Sequence, residues 1–157
     1  LRSAYMLGNG EEVMLAATDL LAETKVAPEL SNEAHYYRAK AYLDAGKVEG
    51  AMDDLKILAK DTRNIYGAEA KYKVAQIYFD AGQTEQAEKE VLDYIEVSTP
   101  HTYWLARSFV LLSDVYMKLG RNLDAKQYLL SLKQNYQADD DIAGMIESRL
   151  NKLNAEN

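Results

Sequence analysis

One sequence pattern occurs three times in the chain and decides how the chain folds. It reads YLDAGKVEGAMDDL at residues 42–55, YFDAGQTEQAEKEV at residues 78–91 and YMKLGRNLDAKQYL at residues 116–129. Each copy places Tyr, Gly, Ala and an aliphatic residue at the same internal offsets, whereas the step between copies is 36 residues from Tyr42 to Tyr78 and 38 residues from Tyr78 to Tyr116. Variation in length is therefore confined to the connections, which is the behaviour of a repeat array.

Each copy predicts the turn of a helical hairpin. Before the turn, apolar residues at helical spacing predict first helices over residues 34–45, 68–81 and 106–119. A Gly follows each of them. This predicts a helix end, because Gly adopts the left-handed conformation there without steric cost. After the turn, Thr84 and Asn122 are expected to be N-caps of second helices. The small residues that allow the two helices of a hairpin to approach closely are Ala51, Ala87 and Ala125 on the second helices and Ala39, Ala75 and Ser113 on the first.

These positions resemble the tetratricopeptide repeat, whose consensus places Trp, Leu-Gly, Tyr, Ala, Phe and Pro at fixed intervals. The resemblance covers about residues 10–136 and rests on Tyr42, Tyr78 and Tyr116 in the Tyr slot and Ala51, Ala87 and Ala125 in the Ala slot. It implies an all-α fold, a right-handed α–α superhelix, or solenoid, of helical hairpins. The chain departs from the consensus at Arg38, which replaces the usual Leu, and in the Trp slot. The first full unit is therefore expected to be the least regular.

The same register predicts how the chain is organised. We expect a single solenoid domain over residues 1–157, with full units at 32–65, 68–101 and 106–138, a partial N-terminal repeat at 1–30 and a capping helix at 139–157. In the partial repeat, Leu7 would occupy the Tyr slot and Ala16 the Ala slot, followed by Leu20 and Pro28, with the turn near Gly8 or Gly10. Its short first helix also suggests that further repeats precede Leu1 in the parent protein.

Composition excludes several classes of function. The chain has 157 residues, 18 Lys and Arg against 25 Asp and Glu, a net charge of −7 and no Cys. A surplus of acidic groups repels phosphate backbones, so nucleic-acid binding is not expected. No apolar run approaches the ~20 residues that a membrane-spanning helix needs, so this segment is not expected to insert into a membrane. Without Cys there is no thiolate metal site and no cysteine nucleophile.

No catalytic, cofactor-binding or metal-binding residues are expected, and the chain is interpreted as non-enzymatic. His35 and His101 lack a ligand partner at metal-binding spacing and are expected to be structural or exposed. Residues 139–141, three aspartates, lack the spacing of a calcium loop and are expected to cap the last helix. Thr99 and Pro100 are expected to be an N-cap and the first residue of a helix.

Twelve tyrosines are the least ordinary feature of the composition, because Tyr provides a large contact area with a polar tip. Those of the Tyr slot are expected in the hairpin core. By resemblance to tetratricopeptide arrays, the first helices would present a concave groove to a partner. Its predicted residues are Tyr36, Lys40, Leu43, Asp44, Tyr72, Gln76, Phe79, Asp80, Val110, Asp114 and Met117. The Lys, Asn and Arg clamp by which some family members hold a C-terminal carboxylate is largely absent from this face, whose acidic and aromatic character suits a ligand with apolar and basic groups.

Two functions remain open from the sequence. The first is a protein-interaction scaffold that holds a partner peptide or helix in the groove. The second is a structural spacer or self-association segment of a larger solenoid, in which neighbouring repeats of the parent chain would be the partners. The long, Tyr-rich units, with YWLAR at residues 103–107, are similar to tetratricopeptide proteins of bacterial cell envelopes. That similarity implies a periplasmic or envelope setting, with the cytoplasm as the alternative.

Overall fold

In the computed structural model, the described residues are 1–23, 25–97 and 99–155, and within these ranges the secondary structure consists of nine helices and no strand. The chain divides into two compact units, Leu1–Val74 and Ala75–Asn157, and the division falls within one helix. The first unit contains α1 (Arg2–Met6), α2 (Gly10–Leu21), α3 (Pro28–Asp44), α4 (Val48–Leu58) and the first part of α5 (Ile65–Asp80). The second contains the rest of α5, α6 (Thr84–Glu96), α7 (Thr102–Lys118), α8 (Asn122–Asn135) and α9 (Ile142–Ala155).

The repeated Tyr and Gly form the same closed turn in each copy. Gly46, Gly82 and Gly120 adopt left-handed backbone angles, with φ of 75°, 78° and 76°. The amide of the following residue donates to the carbonyl oxygen of the repeated Tyr, over 2.8 Å from Lys47 to Tyr42, 2.9 Å from Gln83 to Tyr78 and 2.8 Å from Arg121 to Tyr116. This six-residue closure satisfies a helix-end carbonyl and reverses the chain within a few residues.

The same turn occurs once more near the N-terminus and corrects the predicted register there. Gly8 has φ of 76°, and the amide of Asn9 donates to the carbonyl oxygen of Ala4 over 3.0 Å. Ala4 thus occupies the Tyr slot, and the two buried slots of α2 are taken by Val13 and Ala17, which are fully buried. The assignment of Leu7, Ala16 and Leu20 was wrong: Leu7 is 85% exposed and Ala16 is also exposed. The correct step from Gly8 to Gly46 is 38 residues, as from Gly82 to Gly120.

The predicted packing of small residues is confirmed. Ala51, Ala87 and Ala125 are fully buried, as are the aliphatic residues one turn later, Leu55, Val91 and Leu129. Their counterparts on the first helices, Ala39, Ala75 and Ser113, are equally buried. In the first unit α3 packs on α2 and α4, and in the second α7 packs on α6, α8 and α9. Small side chains on facing helices let the two backbones approach closely.

Helix starts differ from the prediction at three places. Thr84 and Asn122 are the first residues of α6 and α8, and the N-caps are Gln83 and Arg121, neither with a side-chain cap. The reason is that the residue after the Gly closes the preceding turn and begins the next helix at once, so the turn fixes the N-cap position whatever its side chain. The expected start at residues 99–100 was also wrong, because α7 begins at Thr102 with His101 as its N-cap.

Arg38, the basic residue in an apolar slot, is accommodated by a buried carboxylate. Its Nε and Nη2 donate to Asp54 on α4 over 2.8 and 2.6 Å, and Nη1 donates to the Thr18 hydroxyl over 3.1 Å. His35 Nδ1 lies 2.7 Å from the same carboxylate. Burial would raise the pKa of Asp54, but the hydrogen bonds from His35 and Arg38 hold it below its ordinary value. A polar network thus joins α3 to α4 where the repeat consensus has an apolar contact.

Candidate partner-binding surface

The predicted groove residues lie on α3, α5 and α7, and each unit has its own group of them. In the first unit they are Tyr36, Lys40, Leu43, Asp44 and Tyr72. In the second unit they are Gln76, Phe79, Asp80, Val110, Asp114 and Met117. Their exposure divides them: Tyr72 is 7% exposed and Val110 is 3% exposed, so these two contribute to the interior, whereas the other nine retain solvent access.

In the first unit, Tyr36 belongs to a cluster of aromatic rings. Its ring centroid lies 4.5 Å from that of Tyr66 and 5.1 Å from that of Tyr37, in an edge-on arrangement with the latter. Tyr37 in turn lies 5.7 Å from Tyr5 of α1. Tilted and edge-on pairs at such distances are favourable because the positive ring edge meets the negative ring face. The cluster fixes the position of the Tyr36 hydroxyl.

That hydroxyl takes part in a charged network with Glu69 of α5. Tyr36 donates to Glu69 Oε1 over 3.1 Å and accepts from Lys40 Nζ over 3.1 Å, while Lys73 Nζ lies 2.6 Å from Glu69 Oε2. Burial, followed by the charge of Glu69, raises the pKa of Tyr36 far above its ordinary value. Burial, followed by the charge of Lys73, lowers the pKa of Lys40, whose ammonium also lies 4.9 Å from the Tyr36 ring centroid. The polar groups of this surface therefore already have hydrogen-bond or ion-pair partners within the first unit.

A small cleft in the first unit lies beside this network. It has a volume of about 260 Å³ and is lined by Tyr5, Met14, Ala41 and Asp44 together with residues of the Gly8 turn. Asp44 is the predicted groove residue that reaches it, and the Asp44 carboxylate contributes, after burial, to raising the pKa of Tyr5. The lining thus combines apolar side chains with the carboxylates of Glu11 and Asp44.

In the second unit, three predicted residues meet at a larger open cleft. Its volume is about 370 Å³, and it is lined by Phe79, Asp114, Met117, Lys118 and Lys152. The lining residues lie near the C-terminal ends of α5, α7 and α9. Phe79 and Met117 are partly exposed there, although their side chains are apolar. The lining therefore combines apolar and charged side chains, as ligand-binding clefts commonly do.

The carboxylate of this cleft is paired within the unit. Arg149 of α9 holds Asp114 with two parallel hydrogen bonds, 2.8 Å from Nε to Oδ1 and 2.9 Å from Nη2 to Oδ2. Arg149 Nη1 also donates to the carbonyl oxygen of Met145 over 3.2 Å. A two-point Arg–carboxylate pair is among the stronger and more directional contacts of its kind. The other acid of the predicted group, Asp80, accepts from Gln76 on its own helix over 2.8 Å.

Sequence reasoning missed the residues that the later helices add. Arg149 and Lys152 lie on α9, and the prediction assigned that helix a capping role. Arg149 is 35 residues from Asp114, so no local spacing could reveal the pair. Glu69 was missed for the same reason, because its contact with Tyr36 spans 33 residues. The one available signal was the repeat itself, since α9 follows α8 where another first helix would begin.

The described residues offer little for other kinds of site. Across residues 1–23, 25–97 and 99–155, no cluster of three or more His, Asp or Glu side chains could hold a metal ion. No helix in these ranges combines the length and the apolar character that crossing a bilayer requires. Asp140, one of the three aspartates expected to cap α9, accepts from the amide of Ile142 over 2.9 Å.

Comparison with known proteins identifies the repeat in two parts of the chain. Two family models, both described as tetratricopeptide repeat, match residues 33–61 and residues 106–135. These ranges cover most of the two hairpins α3–α4 and α7–α8. The chain contains tetratricopeptide repeats. No curated protein matches this chain.

A solved structure resembles this tetratricopeptide-repeat protein along nearly its full length. It is a crystal structure of nearly identical TPR-like repeats, described as belonging to a kinesin light chain of Podosopora anserina. The TM-score is 0.62, the sequence identity is 14%, and the match covers 98% of this chain and 89% of that chain. Identity this low shows the fold alone. Together with the helices, it confirms the all-α solenoid class. Tetratricopeptide repeats generally act as protein-interaction scaffolds and bind protein partners.

Proposed function

We propose that this tetratricopeptide-repeat protein binds an extended segment or a helix of a partner protein, and that the cleft of the second unit receives an apolar side chain of that segment. The observation that carries the proposal is the exposure of Phe79 and Met117 at one open cleft of about 370 Å³. Val110, the other apolar residue predicted for this unit, is buried. Phe79 and Met117 are therefore the apolar groove residues of that face that remain available for contact.

The chemistry of these two side chains suits such a role. Met has three rotatable bonds and a polarisable sulfur, so it adapts to differently shaped ligands, and an aromatic ring supplies a large rigid contact area. Binding energy at protein interfaces is concentrated in a few such residues near the centre of the contact. In the first unit, Tyr36 and Lys40 provide a second candidate contact, but their polar groups are already paired with each other and with Glu69.

Selection from a library of random peptides displayed on phage, followed by fluorescence anisotropy with the selected peptides, tests the proposal. The variant Phe79→Ala/Met117→Ala removes the apolar floor and is expected to weaken peptide binding by about tenfold or more. The matched control is Leu123→Ala/Leu130→Ala, which removes two exposed apolar side chains of α8 outside the cleft. Thermal unfolding of both variants establishes that they remain folded.

Equal peptide affinity for the wild type and the Phe79/Met117 variant would contradict the proposal, as would failure of the library to yield any binder. A second candidate function is self-association, and one observation favours it. Met6 and Leu15, close in sequence to the exposed Leu7, are themselves 72% and 68% exposed. A molar mass in solution that rises with protein concentration would favour self-association over peptide capture.

A further inference from the structure

We infer that the cleft of the second unit selects a partner segment in which an apolar side chain is flanked by acidic side chains, and this inference rests on the function proposed above. The sequence alone suggested the opposite charge for the ligand, because Asp80 and Asp114 gave the predicted face an acidic character. The structure changes that assessment at the cleft itself, because Asp114 is paired with Arg149, Asp80 is not among the lining residues, and two lysines are.

The first step concerns Asp114, the carboxylate that lines the cleft. Arg149 binds both of its oxygens, at 2.8 and 2.9 Å, and the two side chains are each about one quarter exposed. A basic group of a ligand would have to displace a two-point pair that is already formed, so Asp114 adds little attraction for a ligand cation. The pair instead gives the cleft a neutral wall.

The second step concerns Lys118 and Lys152, which line the same cleft from α7 and α9. Both are exposed, and no carboxylate within residues 1–23, 25–97 and 99–155 lies in salt-bridge contact with either ammonium group. Each Lys lies in the last turn of its helix. The helix end there carries only about half an elementary negative charge, so a net positive charge remains at the rim. The rim is thus locally basic on a chain whose net charge is −7.

The third step concerns size and polarity. A volume of about 370 Å³ is at the lower end of the range typical of ligand-binding clefts, which suits one or two side chains of a peptide rather than a folded domain surface. Phe79 and Met117 supply the apolar part of the lining, and Lys118 and Lys152 supply charged groups of the same lining. A segment with an apolar residue next to Glu or Asp can contact both the apolar side chains and the lysines of the cleft. Opposite charges across an interface favour such a partner over a neutral or basic one.

Three synthetic peptides of equal length test the inference. In each, Leu residues alternate with a second residue, which is Glu in the first peptide, Ser in the second and Lys in the third. All carry an amidated C-terminus, so that no terminal carboxylate contributes. We expect the Leu–Glu peptide to bind about tenfold more tightly than the Leu–Ser peptide at low salt, and the difference to shrink as salt screens the lysines. The net negative charge of the chain would by itself produce the reverse order.

The charge reversal Lys118→Glu/Lys152→Glu is expected to abolish the preference for the Leu–Glu peptide. The control Lys47→Glu/Lys89→Glu makes the same change in net charge at two exposed lysines outside the cleft and is expected to retain the preference. If all three peptides bind equally, and the Phe79→Ala/Met117→Ala variant still weakens each of them, the inference fails while the proposed function stands. Preference for the Leu–Lys peptide, or binding of anionic vesicles or a DNA oligonucleotide in place of the peptides, would also overturn the inference.

Discussion

At the scale of single residues, Asp54 is a buried carboxylate that helps to stabilise the first full hairpin. Its side chain is 1% exposed and accepts from Arg38 and His35. A buried carboxylate of this kind is tolerated because its partners compensate the loss of hydration, and removing one member leaves the others uncompensated. Asp54 of α4 joins the two helices of the first full hairpin because it pairs with Arg38 of α3. Arg38 stands in the slot that the repeat consensus fills with an apolar residue.

The change Asp54→Asn is expected to lower the free energy of unfolding by about 3 kcal/mol at neutral pH. Because the pKa of Asp54 is held below its ordinary value, its ionised form contributes stability above about pH 4, and this contribution is lost as the pH falls through the lowered pKa. The difference in the free energy of unfolding between the wild type and the variant should therefore become smaller in acid. Urea unfolding at pH 7 and near pH 3 measures it. The control is Asp53→Asn at the adjacent exposed carboxylate, which should change the free energy of unfolding little. A constant difference at both pH values would contradict this account.

At the scale of elements, the repeated turn explains why the hairpins share one geometry. In each copy the Gly and the closing hydrogen bond to the Tyr carbonyl oxygen set the direction in which the second helix leaves. The N-terminal turn at Gly8 is the same, although Ala4 stands in place of Tyr. The backbone conformation of the turn therefore depends on the Gly and the helix-end hydrogen bonds rather than on the Tyr ring.

The pair between Arg149 and Asp114 is a polar contact between α9 and α7, and its carboxylate lines the cleft. A double-mutant cycle with Arg149→Leu and Asp114→Asn should give a coupling energy of about 1 kcal/mol, because both side chains are only partly buried. Amide exchange in α9 should be faster in Arg149→Leu than in the wild type. The exposed pair of Arg63 and Asp61 offers a control cycle, with coupling expected near zero. A zero coupling for Arg149 and Asp114 would show that α9 is held by its apolar residues alone.

At the scale of the whole molecule, the chain consists of two compact units, Leu1–Val74 and Ala75–Asn157. In repeat proteins each repeat contacts its neighbours only, so stability is approximately a sum of local terms rather than one global quantity. Buried residues in equivalent slots of the two units provide a direct test of how far this holds here.

Leu55 and Leu129 occupy the same slot of the repeat, one in each unit, and both are buried. Each change to Ala is expected to cost about 2–5 kcal/mol. We expect Leu55→Ala to accelerate amide exchange mainly in α2, α3 and α4, and Leu129→Ala mainly in α7, α8 and α9. Hydrogen exchange with mass spectrometry on the full chain measures both. Equal acceleration across all helices in both variants would show that the two units unfold as one.

Much of this molecule was predictable because its decisive signals are local. The recurrence of Tyr42, Gly46 and Ala51 identified the hairpins, and the burial of the three alanines confirmed it. The N-terminal register failed because Ala4 and Val13 replace the expected Tyr and Ala, leaving the Gly8 turn as the only remaining signal. The N-cap prediction was wrong at Thr84 because the preceding turn sets the backbone conformation there, so the helix starts at Thr84 whatever the capping preference of its side chain.

The sequence by itself determined the hairpin fold, since Gly, small and aliphatic residues at fixed offsets act over a few residues of chain. Only the tertiary structure decided the character of the candidate site. It buried Tyr72 and Val110, left Phe79 and Met117 accessible, and paired Asp114 with an arginine 35 residues away. The physical reason is that burial and charge compensation depend on which helices meet in space, and this depends on contacts between residues far apart in the chain.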